Sequence, residues 1–193
     1  MFWLGIITLR IWNQGGVIRV YLRWSNKTYL NYKVLNYYMD PRIVAGLIKR
    51  VYNKFDMDSF SNRLKLQKYI YLLQTFGIDV GYSFSWYIYG PYSTQLTRTG
   101  FEAQEHFPNV EPLKLKNQQQ EKVFIQFQEF IENHKEDDGW LEITSSIHFL
   151  KAINPDKTKD QIIEEIQNKQ DYFKDQKENI NRIWKELEEA KII

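Results

Sequence analysis

The sequence predicts a mainly α fold: a single compact helical domain of about six or seven helices with a small β element, preceded by an N-terminal β-hairpin. Three observations predict it. From Asp40 onward apolar residues recur at helical spacing in almost every segment. Helix starts are marked by Asp, Ser or Thr and breaks by Gly and Pro. One short stretch, Tyr82 to Tyr89, instead alternates aromatic and polar residues as a strand does.

The elements follow in order. Asp40 caps a helix that opens on Pro41, with Ile43, Val44, Leu47, Ile48, Val51 and Phe55 at its spacing. A second cap, Ser59 or Ser61, leads into Leu64, Leu66, Ile70, Leu73 and Phe76, and Gly77 stops that helix. The aromatic strand comes next, with Tyr82, Phe84, Trp86 and Ile88 on one face. Tyr89-Gly90-Pro91-Tyr92 makes a turn, and Ser93 caps a helix to about His106. After a loop with Pro108 and Pro112, helices are expected over Lys122–His134, Trp140–Ile153, a short piece behind Thr158, and about Lys174–Ala190. There is no internal repeat.

At 193 residues, 43% hydrophobic and 16% aromatic, the chain has ample material for a core. It contains no cysteine, which excludes disulfides, thiolate ligands and a cysteine nucleophile. The longest apolar run, Phe2 to Leu9, is too short to span a membrane and lacks the flanks of a secretory signal. A soluble, cytoplasmic protein is the expectation, with no membrane partner.

Charge is unevenly placed. Residues 1–38 hold five basic side chains, nine aromatics and no acid, whereas residues 39–193 hold 21 basic and 24 acidic side chains, a balance of −3. Three readings of residues 1–38 stand open. They form an aromatic, basic ribbon for nucleic acid; or a hairpin around Asn13-Gln14-Gly15-Gly16 that packs on the body or on a second subunit; or an upstream extension of a chain that starts at Met39.

The residues offer no catalytic, metal or cofactor constellation. His106, His134 and His148 lack ligand spacing, and neither a nucleophile elbow nor a phosphate-binding glycine loop occurs. Ser93 is accounted for as a cap. The acids Glu129, Glu132, Glu136, Asp137 and Asp138 read as loop charge. The aromatic turn stands apart, because Trp86, Tyr87, Tyr89 and Tyr92 crowd around Gly90-Pro91. One reading buries them as core. The other splits them, with Trp86 inside and Tyr87, Tyr89 and Tyr92 partly exposed as partner-binding residues. Lys65 and Lys68, three apart on one helix side, join the partner-binding candidates, with solvation as their default. Gln67 is placed to tie this helix to the turn.

Leu66-Gln67-Lys68 in an apolar helix, followed by Trp86-Tyr87 and then Tyr89-Gly90-Pro91-Tyr92-Ser93, resembles the Panacea (SocA-like) domain family of prokaryotic antitoxins and proteolytic adaptors, nearer an uncharacterised branch of it. The specific part is Leu64 to Ser93. The family more often continues Gly-Pro with Val and a longer loop. The resemblance implies a helical fold with a small sheet, no enzymatic activity, no cofactor, and a protein partner such as a toxin. Leu66, Gln67, Trp86, Gly90, Pro91 and Ser93 would then be motif or structural residues. The alternative is a DNA-binding regulator with a winged-helix-like arrangement, using Lys65, Lys68, Arg98 and the basic N-terminus.

Overall fold

The computed structural model describes residues 8–14, 17–24, 27–33, 40–115, 117–169 and 171–193, the first three segments as backbone alone. The chain divides into two units, Met1–Tyr38 and Met39–Ile193.

The first unit contains three strands, β1 (Thr8–Gln14), β2 (Val17–Trp24) and β3 (Lys27–Lys33), in an antiparallel sheet of order β1-β2-β3. The expected hairpin is present as β1 and β2, in a register that pairs Gln14 with Val17. Asn13 and Gln14 therefore belong to the strand and not to the loop. Phe2 to Ile7, Gly15, Gly16 and Met39, on which parts of the hairpin and start-site readings fall, lie outside the described residues. The third strand was not foreseen, and it pairs with β2 through a register shift between Val20 and Leu22.

The second unit is helical: α1 (Pro41–Val51), α2 (Phe60–Thr75), α3 (Thr94–His106), α4 (Gln118–Ile131), α5 (Asp138–Ile153), α6 (Lys159–Lys169) and α7 (Lys177–Glu189). A two-stranded sheet, β4 (Ser85–Tyr87) and β5 (Gly90–Tyr92), sits between α2 and α3, and a 3-10 turn (Asp171–Phe173) precedes α7. Local chemistry starts these helices where the sequence marks them. Asp40 accepts from the Arg42 N–H at 2.9 Å, Ser59 from Asn62 at 3.0 Å and Ser93 from Leu96 at 3.3 Å. Thr158 and Gln161 cap each other reciprocally, at 2.9 and 3.3 Å. Gly77, at φ +101°, lies just beyond the end of α2.

α2 is the axis of the domain. It contacts α3, α4, α5 and β5, and an unbroken run from Leu64 to Leu73 is buried. The sequence pattern foresees an apolar face on this helix and solvated lysines on another. The structure corrects this, since Lys65 and Lys68 are buried along with their neighbours. α5 is buried almost as fully, from Trp140 through Ile147. The other helices each offer one apolar stripe: Phe124, Phe127 and Ile131; Ile162, Ile163 and Ile166; Ile180, Ile183, Trp184 and Leu187. Cations fasten the loops by binding main-chain carbonyls. Lys49 donates to Phe107 and Val110 at 3.0 and 2.8 Å, and Arg50 to Leu113 at 3.1 Å.

The strand is shorter than its alternation suggests. Tyr82 N–H donates to the Gln74 side-chain oxygen and Tyr82 C=O accepts from the Gln74 amide, both at 2.9 Å, so the main chain there is engaged before any ladder begins. The turn residues are Ile88 and Tyr89, while Gly90, Pro91 and Tyr92 form the return strand. Gly90 has φ +81°, the left-handed conformation that hairpins of this kind place after the turn. The expected inward face is also partly wrong. Tyr82 is buried, Phe84 and Trp86 are half-buried, and Ile88 is exposed.

Candidate functional site

The β4–β5 hairpin is held from below by three side chains of α2. Gln67 grips Ser93 with both ends of its amide. Its oxygen accepts from Ser93 N–H at 2.8 Å, and its nitrogen donates to Ser93 C=O at 3.0 Å and to the Thr97 hydroxyl at 2.8 Å. Thr97 in turn donates to the Tyr92 hydroxyl at 2.8 Å. Gln67 thus plays the tying role read for it in the sequence. Two turns away Gln74 holds Tyr82.

Between them Lys68 reaches up under the turn. Its amine donates to the carbonyls of Tyr89 and, at 3.0 Å, of Pro91, the two residues flanking Gly90. Lys68 is only 2% exposed. Burial pulls its pKa down to about 7, against the negative charge of Glu142, which raises it. Glu142 on α5 is itself buried and accepts from the Tyr172 hydroxyl. Beside Lys68, a Cβ placed on Gly90 would run into Ser146 Oγ and lie 3.3 Å from the Lys68 amine. The turn therefore requires glycine for its φ and for its close approach to α5. The Ser146 hydroxyl is fully buried and has no hydrogen-bond partner among the described residues.

Lys65, one turn earlier, is held elsewhere. Burial works against its charge, yet its 2.9 Å bond to Glu136 and the nearby Tyr52 and Asp138 outweigh this and raise its pKa. Glu136 and Asp138 therefore serve as Lys65 partners, and Asp137 caps α5 at Trp140 N–H, 2.9 Å, which corrects their reading as plain loop charge. As candidates for touching a partner or a phosphate, both lysines are corrected: both residues are buried, and their ammonium groups are engaged within the chain, Lys65 by Glu136 and Lys68 by the carbonyls of Tyr89 and Pro91. Arg98 is exposed.

Above the clamp lies an aromatic surface. Tyr87, Ile88 and Tyr89 are 56, 60 and 38% exposed, and Tyr92 is half-buried. The ring of Phe60, first residue of α2, meets Tyr89 edge-on at 4.9 Å and is 50% exposed. Tyr172 is exposed and lies within electrostatic reach of Tyr89. Trp86 is half-buried, not fully buried as expected, with Phe149 at 6.0 Å and the Lys169 amine 5.0 Å from its ring. Sequence reasoning missed Phe60, Glu142, Ser146 and Tyr172, which come from α2, α5 and the 3-10 turn and carry no local signal.

His148 Nδ1 pairs with the Tyr71 hydroxyl at 2.7 Å, and burial lowers the imidazole pKa to about 4. His134 stacks on Trp140 at 4.4 Å. Among the described residues no three metal-ligating side chains come together, and no helix is long and apolar enough to cross a membrane. No protein-family model, curated protein or solved structure matches the chain.

Proposed function

We propose that residues 39–193 form a non-enzymatic protein-interaction domain of the antitoxin or adaptor type, which docks a partner protein on the aromatic surface around Tyr87–Tyr89 and occludes it sterically. The observation that carries this reading is an exposed aromatic cluster on a main chain pinned from beneath by Gln67, Lys68 and Gln74. Large rings on a stiff support bind with little ordering cost, which is how aromatic anchors come to dominate interfaces. The Leu-Gln-Lys and Tyr-Gly-Pro residues behind the Panacea resemblance are the same ones that build this support. Lys68 and Ser146 are buried beside Gly90, and this reading gives them a supporting role under the turn.

Affinity capture with the full chain, after nuclease treatment, tests the reading. A single stoichiometric protein is expected with the wild type. It should be lost with Tyr87→Ala plus Tyr89→Ala, whereas Phe101→Ala plus Ile153→Ala, which remove exposed apolar side chains elsewhere, should retain it. Equal retention by both double variants, or recovery of nucleic acid and no protein from a parallel capture without nuclease, overturns it.

A further inference from the structure

The two edges of the small sheet are not equivalent. On β5 the middle residue, Pro91, has no N–H to offer, and its carbonyl is already bound by Lys68. That edge faces α2 and α5 and is closed. On β4 the middle residue is Trp86, directly opposite Pro91. Residues facing each other in an antiparallel pair alternate between exchanging hydrogen bonds and not exchanging them. Because Pro91 cannot donate, the bonded pairs are Ser85 with Tyr92 and Tyr87 with Gly90, and the N–H and C=O of Trp86 turn away from β5. No third strand pairs with them among the described residues. Ser85 and Tyr87 on either side are exposed.

A donor and an acceptor side by side on a short unpaired edge match an extended polypeptide. The adjoining charge narrows the choice. Lys157 and Lys169 share one carboxylate, Glu165, which sits 2.6 Å from Lys157 and only 3.6 Å from Lys169. This trio carries one surplus positive charge, and Lys169 is the member over the Trp86 ring.

We propose that the outer edge of β4 takes up an extended, acid-bearing segment of a partner protein as a third strand, with the Trp86 main chain as its hydrogen-bonding contact and Lys169 as its charge contact. The inference rests on the protein-docking reading above and specifies what the partner presents.

A phage-displayed library of random decapeptides, panned against the immobilised full chain, supplies the probe. Enriched sequences are expected to carry Asp or Glu, and the corresponding synthetic peptides should slow hydrogen exchange of the Trp86 amide, which has no main-chain partner among the described residues. Lys169→Glu, a change on a partly exposed side chain, should weaken these peptides by about tenfold, the weight of one charge-assisted contact. No enrichment, or enriched peptides that leave Trp86 exchange unchanged, overturns the proposal. So does protection of Trp86 in concentrated protein without peptide, since the occupant would then be a second copy of the chain. The two readings fail separately. Peptides that protect Trp86 but bind equally well to Tyr87→Ala plus Tyr89→Ala sink the aromatic surface and leave the edge. Peptides that need the tyrosines but ignore Trp86 do the reverse.

Discussion

Gly90→Ala should be among the most damaging single-methyl additions in the protein, and the structure says how much of the damage comes from each cause. Backbone conformation is one cause. At φ +81° an L-residue pays about 1–2 kcal/mol for the left-handed region. Space is the other. The new Cβ would overlap Ser146 Oγ, whose residue is fully buried in α5. Forced overlap of this kind costs about 1–3 kcal/mol, so the total is about 2–5 kcal/mol. Gly77→Ala isolates the first cause, because Gly77 has φ +101° and nothing within 4 Å of its Cβ position. It should cost only about 1–2 kcal/mol. Ser146→Ala isolates the second. It removes an unpartnered buried oxygen, so alone it should be close to neutral, and combined with Gly90→Ala it should restore about 1–2 kcal/mol. Urea unfolding of the four variants against wild type measures all of these. A Gly90→Ala cost no larger than that of Gly77→Ala, or no rescue by Ser146→Ala, would refute the close approach of turn and helix.

Lys68→Met should destabilise by about 2–4 kcal/mol by stranding two carbonyls, and the deficit should vary with pH. The folded pKa, about 7, lies below that of an unfolded lysine, so between the two the unfolded chain binds the extra proton. Wild-type stability should therefore gain on Lys68→Met as pH rises from 7 to 9, by at most about 1.4 kcal/mol per unit, in urea titrations at each pH. His148 acts with the same sign on the acid side. Its folded pKa, about 4, is below the unfolded value, so the stability it confers is present above pH 6.5 and lost as pH falls toward 4; His148→Gln should flatten that arm of the stability profile. Arg50→Ala should cost about 2 kcal/mol in the same assay, because Arg50 bonds Leu113 and Glu121 and lies 3.8 Å from the Phe124 ring.

What could be read in the sequence follows from the range of each interaction. Asp40, Ser59, Ser93 and Thr158 cap helices by bonding main-chain groups two or three residues away, so their roles are visible locally. Apolar spacing likewise places Ile162, Ile163 and Ile166, or Ile180, Ile183 and Leu187, in the core. Lys68 is the contrary case. Its partners are carbonyls 21 and 23 residues along the chain, and every residue has a carbonyl, so no side-chain pattern announces them. Lysine is also a solvated residue by default, and only enclosure of α2 on several sides reverses that. The strand was read too long for a related reason: alternation reports side-chain placement, while Gln74 had already taken the main chain of Tyr82. Glu142, Ser146 and Tyr172 join the site from distant elements, and no spacing rule links them to the turn.

Gln67 and Gln74 stand seven residues apart on α2, and each amide bonds both polar groups of one main-chain residue, Ser93 and Tyr82 respectively. A carboxamide used this way is a surrogate peptide group, and the helix stands in for the neighbouring strands that a two-stranded sheet lacks. A hairpin of this size has no independent stability in water. Here both of its ends and its middle are fastened to the most enclosed helix of the domain, so it belongs to the same cooperative unit as that helix. Opening it would mean withdrawing α2 from the core, and the inward-facing amides of the hairpin should exchange only in the event that exposes Leu66 and Ile70.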